Sequence, residues 1–335
     1  MTPVSLRIDA LTKSFGSEAV LNNFSLNIPM GQVTALMGAS GSGKSTLLRI
    51  IAGLEQADTG TVSYAGEPIS NGQVGFIFQE PVLYPHLNVQ ENILFAYRLA
   101  KAPALDREHF TSLIGTLGLG EYLHKKPSQL SGGQAQRAGI ARALVRKTPL
   151  VLFDEPLSNV DPHLAQAIRA DILTLHHQLG FTGLYVTHTP DEALQMGQEI
   201  AVMEQGQLVQ TGPARQLLQK PANLQVARLL NPLYNELPAE LEGQTMTVGI
   251  SAHGFSPRYE AGQGALPVIP RSAWAYTSGT RVEALIARDT ELSTAQGLLC
   301  LPAGMVITAV LPGLPWVELG KTMYWAVDAE NLHYF

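Results

Sequence analysis

Gly38-Ala39-Ser40-Gly41-Ser42-Gly43-Lys44-Ser45 follows the apolar run Val33–Met37 and precedes a helical pattern over residues 46–52. The octapeptide fits G-x-x-x-x-G-K-[ST], a loop that binds phosphate groups between a strand and a helix. Its glycines let the backbone curl so that N–H groups point at phosphate oxygens, and the helix N-terminus adds partial positive charge. We therefore predict a phosphate site in which Lys44 reaches the terminal phosphates and Ser45 ligates Mg²⁺.

Short apolar runs alternate with helical patterns on both sides of this loop, from residue 4 to about residue 210. Further buried strands are predicted at residues 75–78, 150–153 and 184–187. Near-continuous apolar strands that alternate with helices are typical of a parallel sheet covered on both faces. We predict an α/β P-loop NTPase fold with a mixed sheet core, interrupted by a helical subdomain at about residues 89–144.

The pattern changes beyond Pro221, where proline and glycine are scattered and no long helical period continues. Short strand-like runs at residues 281–287, 305–311 and 323–327 are separated by turn residues. Such spacing predicts a small β-barrel or sandwich. We place the boundary near Asn235, which gives domains 1–235 and 236–335.

Composition excludes several classes of protein. The 335 residues are 45% hydrophobic, and 22 Lys+Arg against 28 Asp+Glu give a net charge of −6. This composition excludes wholesale disorder and argues against a nucleic acid partner. Cys300 is the single cysteine, so an intrachain disulfide and a zinc site of several thiolates are excluded. Because no signal-peptide core or membrane-length apolar run is found, we expect a soluble, cytosolic chain.

Two adjacent carboxylates, Asp154 and Glu155, follow the apolar run at residues 150–153. Neighbours on a strand point to opposite faces, so the pair can take different roles. We predict that Asp154 holds Mg²⁺ and that Glu155 polarises the attacking water as a general base. The alternative is a solvated acidic turn, and the phosphate loop in the same sheet favours the site.

Gln79 and His188 each follow a predicted strand of this sheet. Thr189-Pro190-Asp191-Glu192 predicts an N-cap, a proline at the first helical position and a capping-box acid. His188 would then lie at a rigid corner at the carboxyl edge of the sheet, within reach of the terminal phosphate. The Gln79 amide would reach the metal or the water.

Leu130-Ser131-Gly132-Gly133-Gln134 precedes a helix that is predicted to end near residue 145. Ser131 and Gln134 form a capping box, but each glycine costs a helix about 1 kcal/mol relative to alanine. Two glycines are expected at this position if a ligand must approach the backbone closely. The N-terminus of the helix would then be a second phosphate-binding surface. One nucleotide cannot easily use both surfaces of one chain, so we predict two chains, head to tail.

These motifs, in this order, resemble those of the ATP-binding subunits of ABC transporters over roughly residues 4–230. The resemblance rests on a Walker A loop at residues 38–45, a Q-loop at Gln79, a signature at residues 130–134, a Walker B strand at residues 150–155, a D-loop at residues 158–161 and an H-loop at His188.

The resemblance implies a role for each matching residue. ATP would contact Phe15 through its adenine, and its phosphates would contact Gly38, Ala39, Ser40, Gly41, Ser42, Gly43, Lys44, Ser45, Thr46 and Gln79. Mg²⁺ would bind near Ser45, Gln79 and Asp154, with Glu155 and His188 as catalytic residues. Contacts from the second copy would come from Ser131, Gly132, Gly133, Gln134 and Asp161.

This chain departs from the usual family pattern at Ala135, at Val160 and at Thr189-Pro190. None of these departures removes a catalytic group, so both half-sites of a homodimer are expected to be active. Residues 221–230 resemble the link out of the ATPase domain in bacterial importers for sugars, polyamines, ferric iron and other ions. The tail resembles the OB-like domain of that branch, where it supports the dimer or binds a regulator.

We therefore predict ATP hydrolysis that powers solute import at the cytoplasmic face of the inner membrane. Membrane permease subunits would dock near residues 79–92, and a solute-binding protein would take part indirectly. An exporter ATPase, a soluble ABC ATPase acting on DNA or ribosomes, and a P-loop kinase are the alternatives. The cargo is not readable, because other chains select it.

Overall fold

The computed structural model describes residues 4–70, 72–99, 105–258, 265–276, 279–294, 296–313, 317–327 and 332–335. The chain divides into two compact units, Met1–Ala214 and Arg215–Phe335. This division precedes the boundary predicted near Asn235 by about twenty residues. The physical reason is that the helical segment before Asn235 bonds to the strands after it, as Asn231 Nδ2 does to Ser251 Oγ at 2.6 Å.

The first unit combines strands and helices. Its described strands are β1 Val4–Phe15, β2 Glu18–Pro29, β3 Val33–Met37, β4 Thr59–Tyr64, β5 Glu67–Pro68, β6 Val74–Ile77, β7 Leu150–Asp154, β8 Thr182–Val186, β9 Glu199–Glu204 and β10 Gln207–Gly212. Its described helices are α1 Lys44–Ile51, α2 Val89–Leu99, α3 Arg107–Thr116, α4 Gly132–Leu144, α5 Pro162–Leu179 and α6 Pro190–Met196.

The central sheet has the strand order β10-β9-β3-β8-β7-β6, and its strands are parallel except for β10. Both of its faces are buried. On β7, Leu150 and Leu152 pack into one hydrophobic core, whereas Val151 and Phe153 pack into the other. This explains the continuous apolar runs in the sequence and confirms the predicted α/β class.

A second sheet, β2-β1-β4-β5, is antiparallel and packs with α1 over one face of the central sheet. Helices α2 to α5 contribute to the core on the other face. Among the residues that the structure describes, the predicted helical region at residues 89–144 contains α2, α3 and α4.

The second unit is dominated by strands, as predicted. Its described elements are α7 Ala214–Gln219, which begins at the division, α8 Leu224–Leu230, β11 Tyr234–Leu241, β12 Gln244–Ser251, β13 Phe255–Arg258, β14 Ala265–Tyr276, β15 Gly279–Ile286, β16 Thr290–Thr294, β17 Gly297–Leu301, β18 Val306–Pro312, β19 Met323–Val327 and β20 Leu332–Tyr334.

Two antiparallel sheets, β16-β17-β11-β12-β20 and β13-β19-β14-β15-β18, build this unit. Their inward side chains form one hydrophobic core around the fully buried Trp325. The arrangement agrees with the predicted all-β, OB-like class. Among the residues that the structure describes, no helix combines the length and the apolar character that a membrane span requires.

Candidate active site

The phosphate loop connects β3 to α1 and has the backbone that the motif predicts. Gly41 and Gly43 adopt positive φ angles of 78° and 103°. A Cβ at Gly43 would lie 2.6 Å from the carbonyl oxygen of Val20, so only glycine fits. Gly43 is also the N-cap of α1, and no side chain in the described part of the chain caps it. The first N–H groups of α1 are thus left available to an anion.

Lys44 lies folded back under this loop. Its Nζ donates hydrogen bonds to the carbonyl oxygens of Gly38 and Ala39 at 2.8 and 2.9 Å. Burial lowers the pKa of Lys44, while Glu155 and Asp154 act in the opposite direction. The ammonium group of Lys44, held beneath the loop, is placed to bind a phosphate. The phosphate oxygens would compete with the loop carbonyl oxygens for its hydrogen bonds.

Ser45 and Asp154 bring a hydroxyl and a carboxylate together across the sheet edge. Ser45 Oγ donates to Asp154 Oδ1 at 3.0 Å. Burial raises the pKa of Asp154, and the hydrogen bond from Ser45 partly offsets this effect. Two hard oxygen atoms beside a phosphate loop are the donor type that Mg²⁺ prefers, so this pair fits the predicted metal site.

Glu155 and His188 are in direct contact, as 3.0 Å separates His188 Nδ1 from Glu155 Oε2. The two residues come from the ends of adjacent strands, β7 and β8. The expectation that Glu155 continues the strand beyond Asp154 is wrong. Glu155 lies outside β7 with φ at 45°, and this left-handed backbone turns its side chain toward His188.

The corner after His188 differs from the predicted capping box. Thr189 precedes α6 and Pro190 is the first helical residue, as predicted, but the Thr189 side chain does not cap the described helix. Glu192 instead turns inward, where its carboxylate accepts hydrogen bonds from Thr187 and Tyr185. Buried hydroxyl donors at and just after the end of β8 hold this acid away from the helix N-terminus, because a buried carboxylate needs partners.

Gln79 follows β6, but its amide contacts the D-loop. Gln79 Nε2 donates to Ser158 Oγ at 3.2 Å, and that hydroxyl donates to the carbonyl oxygen of Glu155 at 3.1 Å. Gln79 therefore reaches the Walker B corner through Ser158. Its predicted contacts with ATP and metal remain proposals.

The signature turn has the predicted capping box. Ser131 Oγ accepts from Gln134 N–H at 3.3 Å, and Gln134 Oε1 accepts from Ser131 N–H at 2.9 Å. The two glycines have different surroundings. A Cβ at Gly132 would meet open space, but a Cβ at Gly133 would lie 2.2 Å from Leu164 Cδ2. The need for glycine at position 133 therefore comes from packing against Leu164 of α5, whereas the sequence predicted a close ligand there. Gly132 is the exposed glycine of the pair.

Asp161 is held within its own chain. Its Oδ1 atom accepts from the N–H groups of His163 and Leu164 at 3.0 and 3.3 Å and so caps α5. The carboxylate retains Oδ2 for any contact with a second copy, which remains a proposal.

Phe15 ends β1 as an exposed aromatic ring. The Nζ atom of Lys13 lies 5.0 Å from the ring centroid, in cation–π geometry. Glu55 and Asp58 hold that ammonium group at 2.8 and 3.7 Å, so one side of the ring is supported from within the chain.

Sequence reasoning missed several residues that organise the site, namely Lys13, Leu164 and Glu192. Lys13 and Leu164 have no local pattern that could reveal their roles, because their partners are distant in the chain. Glu192 had a signal, its place in a capping-box pattern, but that signal predicted the wrong contact.

Comparison with known proteins decides the family. The family model described as "ABC transporter" matches residues 21–158. The sn-glycerol-3-phosphate import ATP-binding protein UgpC of Ruegeria sp. (strain TM1040) is 34% identical, over 99% of this chain and 97% of the relative. The chain belongs to the ABC transporter family.

Other relatives agree with this membership. The Fe(3+) ions import ATP-binding protein FbpC of Agrobacterium fabrum (strain C58 / ATCC 33970) is 38% identical, over 72% of this chain and 70% of that protein. A dimeric structure of the ATP-binding cassette MJ0796 in a post-hydrolysis state, bound to ADP and Pi, is 29% identical with a TM-score of 0.55. It covers 62% of this chain and 98% of its own. As an ABC-family ATPase, the chain binds ATP and hydrolyses it to ADP and phosphate.

Proposed function

We propose that this chain is the ATPase subunit of an importer and that Glu155 is the base of its reaction. The contact of Glu155 Oε2 with His188 Nδ1, 3.0 Å long, carries the proposal. This contact holds the Glu155 carboxylate at the carboxyl edge of the sheet, where the phosphate loop also begins, after β3. The relatives named as import ATP-binding proteins favour import over export.

The chemistry follows from the placement of these groups. The oxygen of a water molecule attacks the γ-phosphorus of ATP while its proton passes to Glu155, and the bond to the β–γ bridging oxygen breaks. Lys44 and the N–H groups of α1 stabilise charge on the phosphates. His188 orients the Glu155 carboxylate and contacts the γ-phosphate with its other ring nitrogen.

Mg²⁺ fits the oxygen atoms that the site offers. Ser45 and Asp154, already 3.0 Å apart, would hold it together with Gln79 and the phosphates. Across the described residues, no three His, Cys, Asp or Glu side chains gather as a metal cluster. Oxygen atoms of the nucleotide would complete the ligand set. When bound, the ion supplies charge neutralisation at the β- and γ-phosphates.

We further propose that two copies assemble head to tail, each placing Ser131, Gly132 and the free Oδ2 of Asp161 against the ATP of the other. The exposure of Gly132 and the free space beside it support this arrangement. ATP favours the closed pair only through contacts that it makes there, which include the signature turn of the second copy. The second unit would support this dimer or bind a regulator.

The segment at residues 81–87, within the region 79–92 where a membrane permease is predicted to dock, is the proposed docking surface. Val82 and Tyr84 are exposed on it. The fully buried Asn92 holds the segment, since its side chain bonds to Tyr84 N–H at 2.7 Å and to the carbonyl oxygens of Tyr84 and Leu87. Through the permease, the subunit would work at the cytoplasmic face of the inner membrane, with a solute-binding protein as an indirect partner.

Glu155→Gln in the full chain tests the proposal. The variant keeps the shape of the side chain but removes the basic carboxylate, so ATP still binds and turnover falls by about two to four orders of magnitude. We expect ATP-loaded dimers to accumulate in size-exclusion chromatography. Glu199→Gln is the matched control, because this half-buried glutamate begins β9 at the opposite end of the sheet. Unchanged phosphate release by Glu155→Gln would exclude Glu155 as the base.

Import has its own test. The chain is produced together with its candidate permease, and the complex is isolated and reconstituted into vesicles. ATP-dependent accumulation of a solute on the side where ATP is hydrolysed supports an importer. Movement of solute in the opposite direction would identify an exporter ATPase.

A further inference from the structure

Glu192 is a buried acid that the reaction described above does not use. It lies on α6 with 6% of its surface exposed, directly behind the corner that carries His188. Its Oε2 atom accepts two hydrogen bonds, from Thr187 Oγ1 at 2.8 Å and from Tyr185 OH at 3.2 Å. Both donors belong to the end of β8 or to the residue after it, and both are buried.

Through Thr187, Glu192 is linked by hydrogen bonds to the backbone on both sides of His188. Thr187 donates its hydroxyl proton to Glu192, and the same oxygen accepts from Thr189 N–H at 3.0 Å. Thr187 and Thr189 are the residues on either side of His188. One carboxylate therefore holds the backbone before and after the histidine, which limits the directions in which the imidazole can point.

The same strand end also holds Glu155. The Glu155 N–H group donates to the carbonyl oxygen of Val186 at 3.0 Å, between the two residues that Glu192 anchors. Glu155 has a left-handed backbone, which is strained for a non-glycine residue and persists only where its surroundings enforce it. The anchored end of β8 is one such enforcing contact.

A purely stabilising ion pair does not explain this acid well. Arg169 Nη1 approaches Glu192 Oε1 only to 3.8 Å, beyond hydrogen-bond distance. Within the described chain, the buried Nε atom of Arg169 finds no acceptor at all. Burying a carboxylate is costly unless it has close partners, so its two hydrogen bonds to the end of β8 and to Thr187 are the feature that needs explanation.

We propose that Glu192 is a positioning residue for catalysis: its carboxylate clamps Thr187 and Tyr185, and thereby sets the geometry of the His188–Glu155 pair. This inference rests on the proposed role of Glu155. Glu192 does not touch the phosphate loop, so its loss lowers the rate of hydrolysis rather than the affinity for ATP.

The test compares three variants of the full chain. Glu192→Leu removes both acceptor atoms, and Glu192→Gln retains one carbonyl oxygen that can accept both hydroxyls. Thr187→Val removes the central hydroxyl with little change in shape. We expect Glu192→Leu and Thr187→Val to lower kcat by roughly 10- to 100-fold, the usual cost of losing such a supporting bond, while KM for ATP changes by less than about threefold. Glu192→Gln restores most of kcat.

Asp171→Leu is the matched control, because it removes another partly buried carboxylate that pairs with an arginine, Arg137, at 2.8 Å. Asp171 is on α5, two residues from Arg169, and has no bond to the β8 end. Its variant should lose stability without a selective loss of kcat. The ¹⁵N spectrum of the His188 ring supplies a direct measurement, since its tautomer and hydrogen bond should change in Thr187→Val and Glu192→Leu only.

The possible results separate the two proposals. If Glu155→Gln abolishes turnover while Thr187→Val keeps the kcat and His188 spectrum of the unmodified chain, the role of Glu192 is overturned and that of Glu155 stands. If Glu155→Gln turns over normally, the proposed base itself is wrong. A parallel rise of KM and fall of kcat in all three variants would also overturn the clamp, because it indicates general damage to the site. Thr187→Val keeps the test decisive if Glu192→Leu does not fold.

Discussion

Two glycine-rich turns in the first unit each lead into a helix, and they are built in opposite ways. The turn before α1 has a left-handed N-cap, Gly43, and its first N–H groups are not capped by a described side chain. The turn before α4 is capped by its own side chains, because those of Ser131 and Gln134 accept hydrogen bonds from each other's backbone N–H groups. The first turn thus leaves N–H groups available to an anion within one chain, whereas the N–H groups of Ser131 and Gln134 in the second turn already have partners.

The difference shows that glycine serves two purposes in motifs that look alike. Gly43 is needed because its backbone has a positive φ angle, which residues with a Cβ rarely adopt. Gly133 lies inside a regular helix, and it is needed because Leu164 occupies the space where a Cβ would be. Substitutions in the two turns therefore separate conformational strain from packing.

Gly43→Ala should have the largest effect on the fold. The alanine would be strained at a φ of 103°, and its Cβ would meet the Val20 carbonyl oxygen at 2.6 Å. We expect the free energy of unfolding to fall by about 2 kcal/mol or more, with loss of ATP binding. Urea unfolding and a fluorescent ATP analogue measure the two effects.

Gly41→Ala is the control for this prediction, since its φ of 78° is also left-handed but its Cβ would meet open space. It should cost about 1 kcal/mol, from conformation alone. Equal losses for the two variants would show that the contact with Val20 is unimportant.

Gly133→Ala should have an intermediate effect, because its Cβ clashes with the end of a flexible side chain. We expect a loss of about 1–3 kcal/mol in unfolding free energy, of the size found when a packed interior is overfilled. Leu164→Ala introduced together with it should recover part of that loss, and a double-mutant cycle measures the coupling.

Gly132→Ala provides the contrast in the same turn. Its Cβ points into open space, so unfolding free energy should change by less than about 0.5 kcal/mol. Turnover should nevertheless fall, as the added methyl group would obstruct the nucleotide of the second copy. Full activity of this variant would contradict the proposed head-to-tail contact.

Ser131→Ala should have a smaller effect on the fold than Gly43→Ala, and one at the low end of the range expected for Gly133→Ala. It removes the hydroxyl that accepts from Gln134 N–H, and such N-cap losses cost about 1 kcal/mol. Thermal unfolding of Ser131→Ala and Ser131→Asp, which can still cap, measures it. If Ser131→Asp restores stability but not turnover, the hydroxyl has a role beyond capping.

Much of the site could be predicted from local sequence. The loop at residues 38–45 specifies its own backbone, and the apolar run before Asp154 places that carboxylate at the sheet edge. The capping box of Ser131 and Gln134 was also predictable, since both partners lie within one helical turn. Features that depend on a few neighbouring residues are visible in the sequence.

Contacts between distant segments were not predictable in this way. The bond of Gln79 to Ser158 joins residues 79 positions apart, and the packing of Gly133 on Leu164 joins α4 to α5. Glu192 shows the limit clearly. Its position favoured a helix cap, but its carboxylate instead accepts hydrogen bonds from two buried hydroxyls, on Tyr185 of β8 and on Thr187 just after that strand.

The order of the motifs and the periodicity of the apolar runs were enough to establish an α/β ATPase unit and an all-β second region, and they predict which residues bind phosphate. These properties follow from short-range preferences, since strand periodicity, glycine conformation and capping act over a few residues. The left-handed backbone of Glu155, its pairing with His188 and the clamp behind that pair arise only when β7, β8 and α6 are packed together. Glu155 and His188 are distant in the sequence and meet only in the folded chain. For Glu192, Thr187 and Tyr185, burial makes the hydrogen bonds necessary.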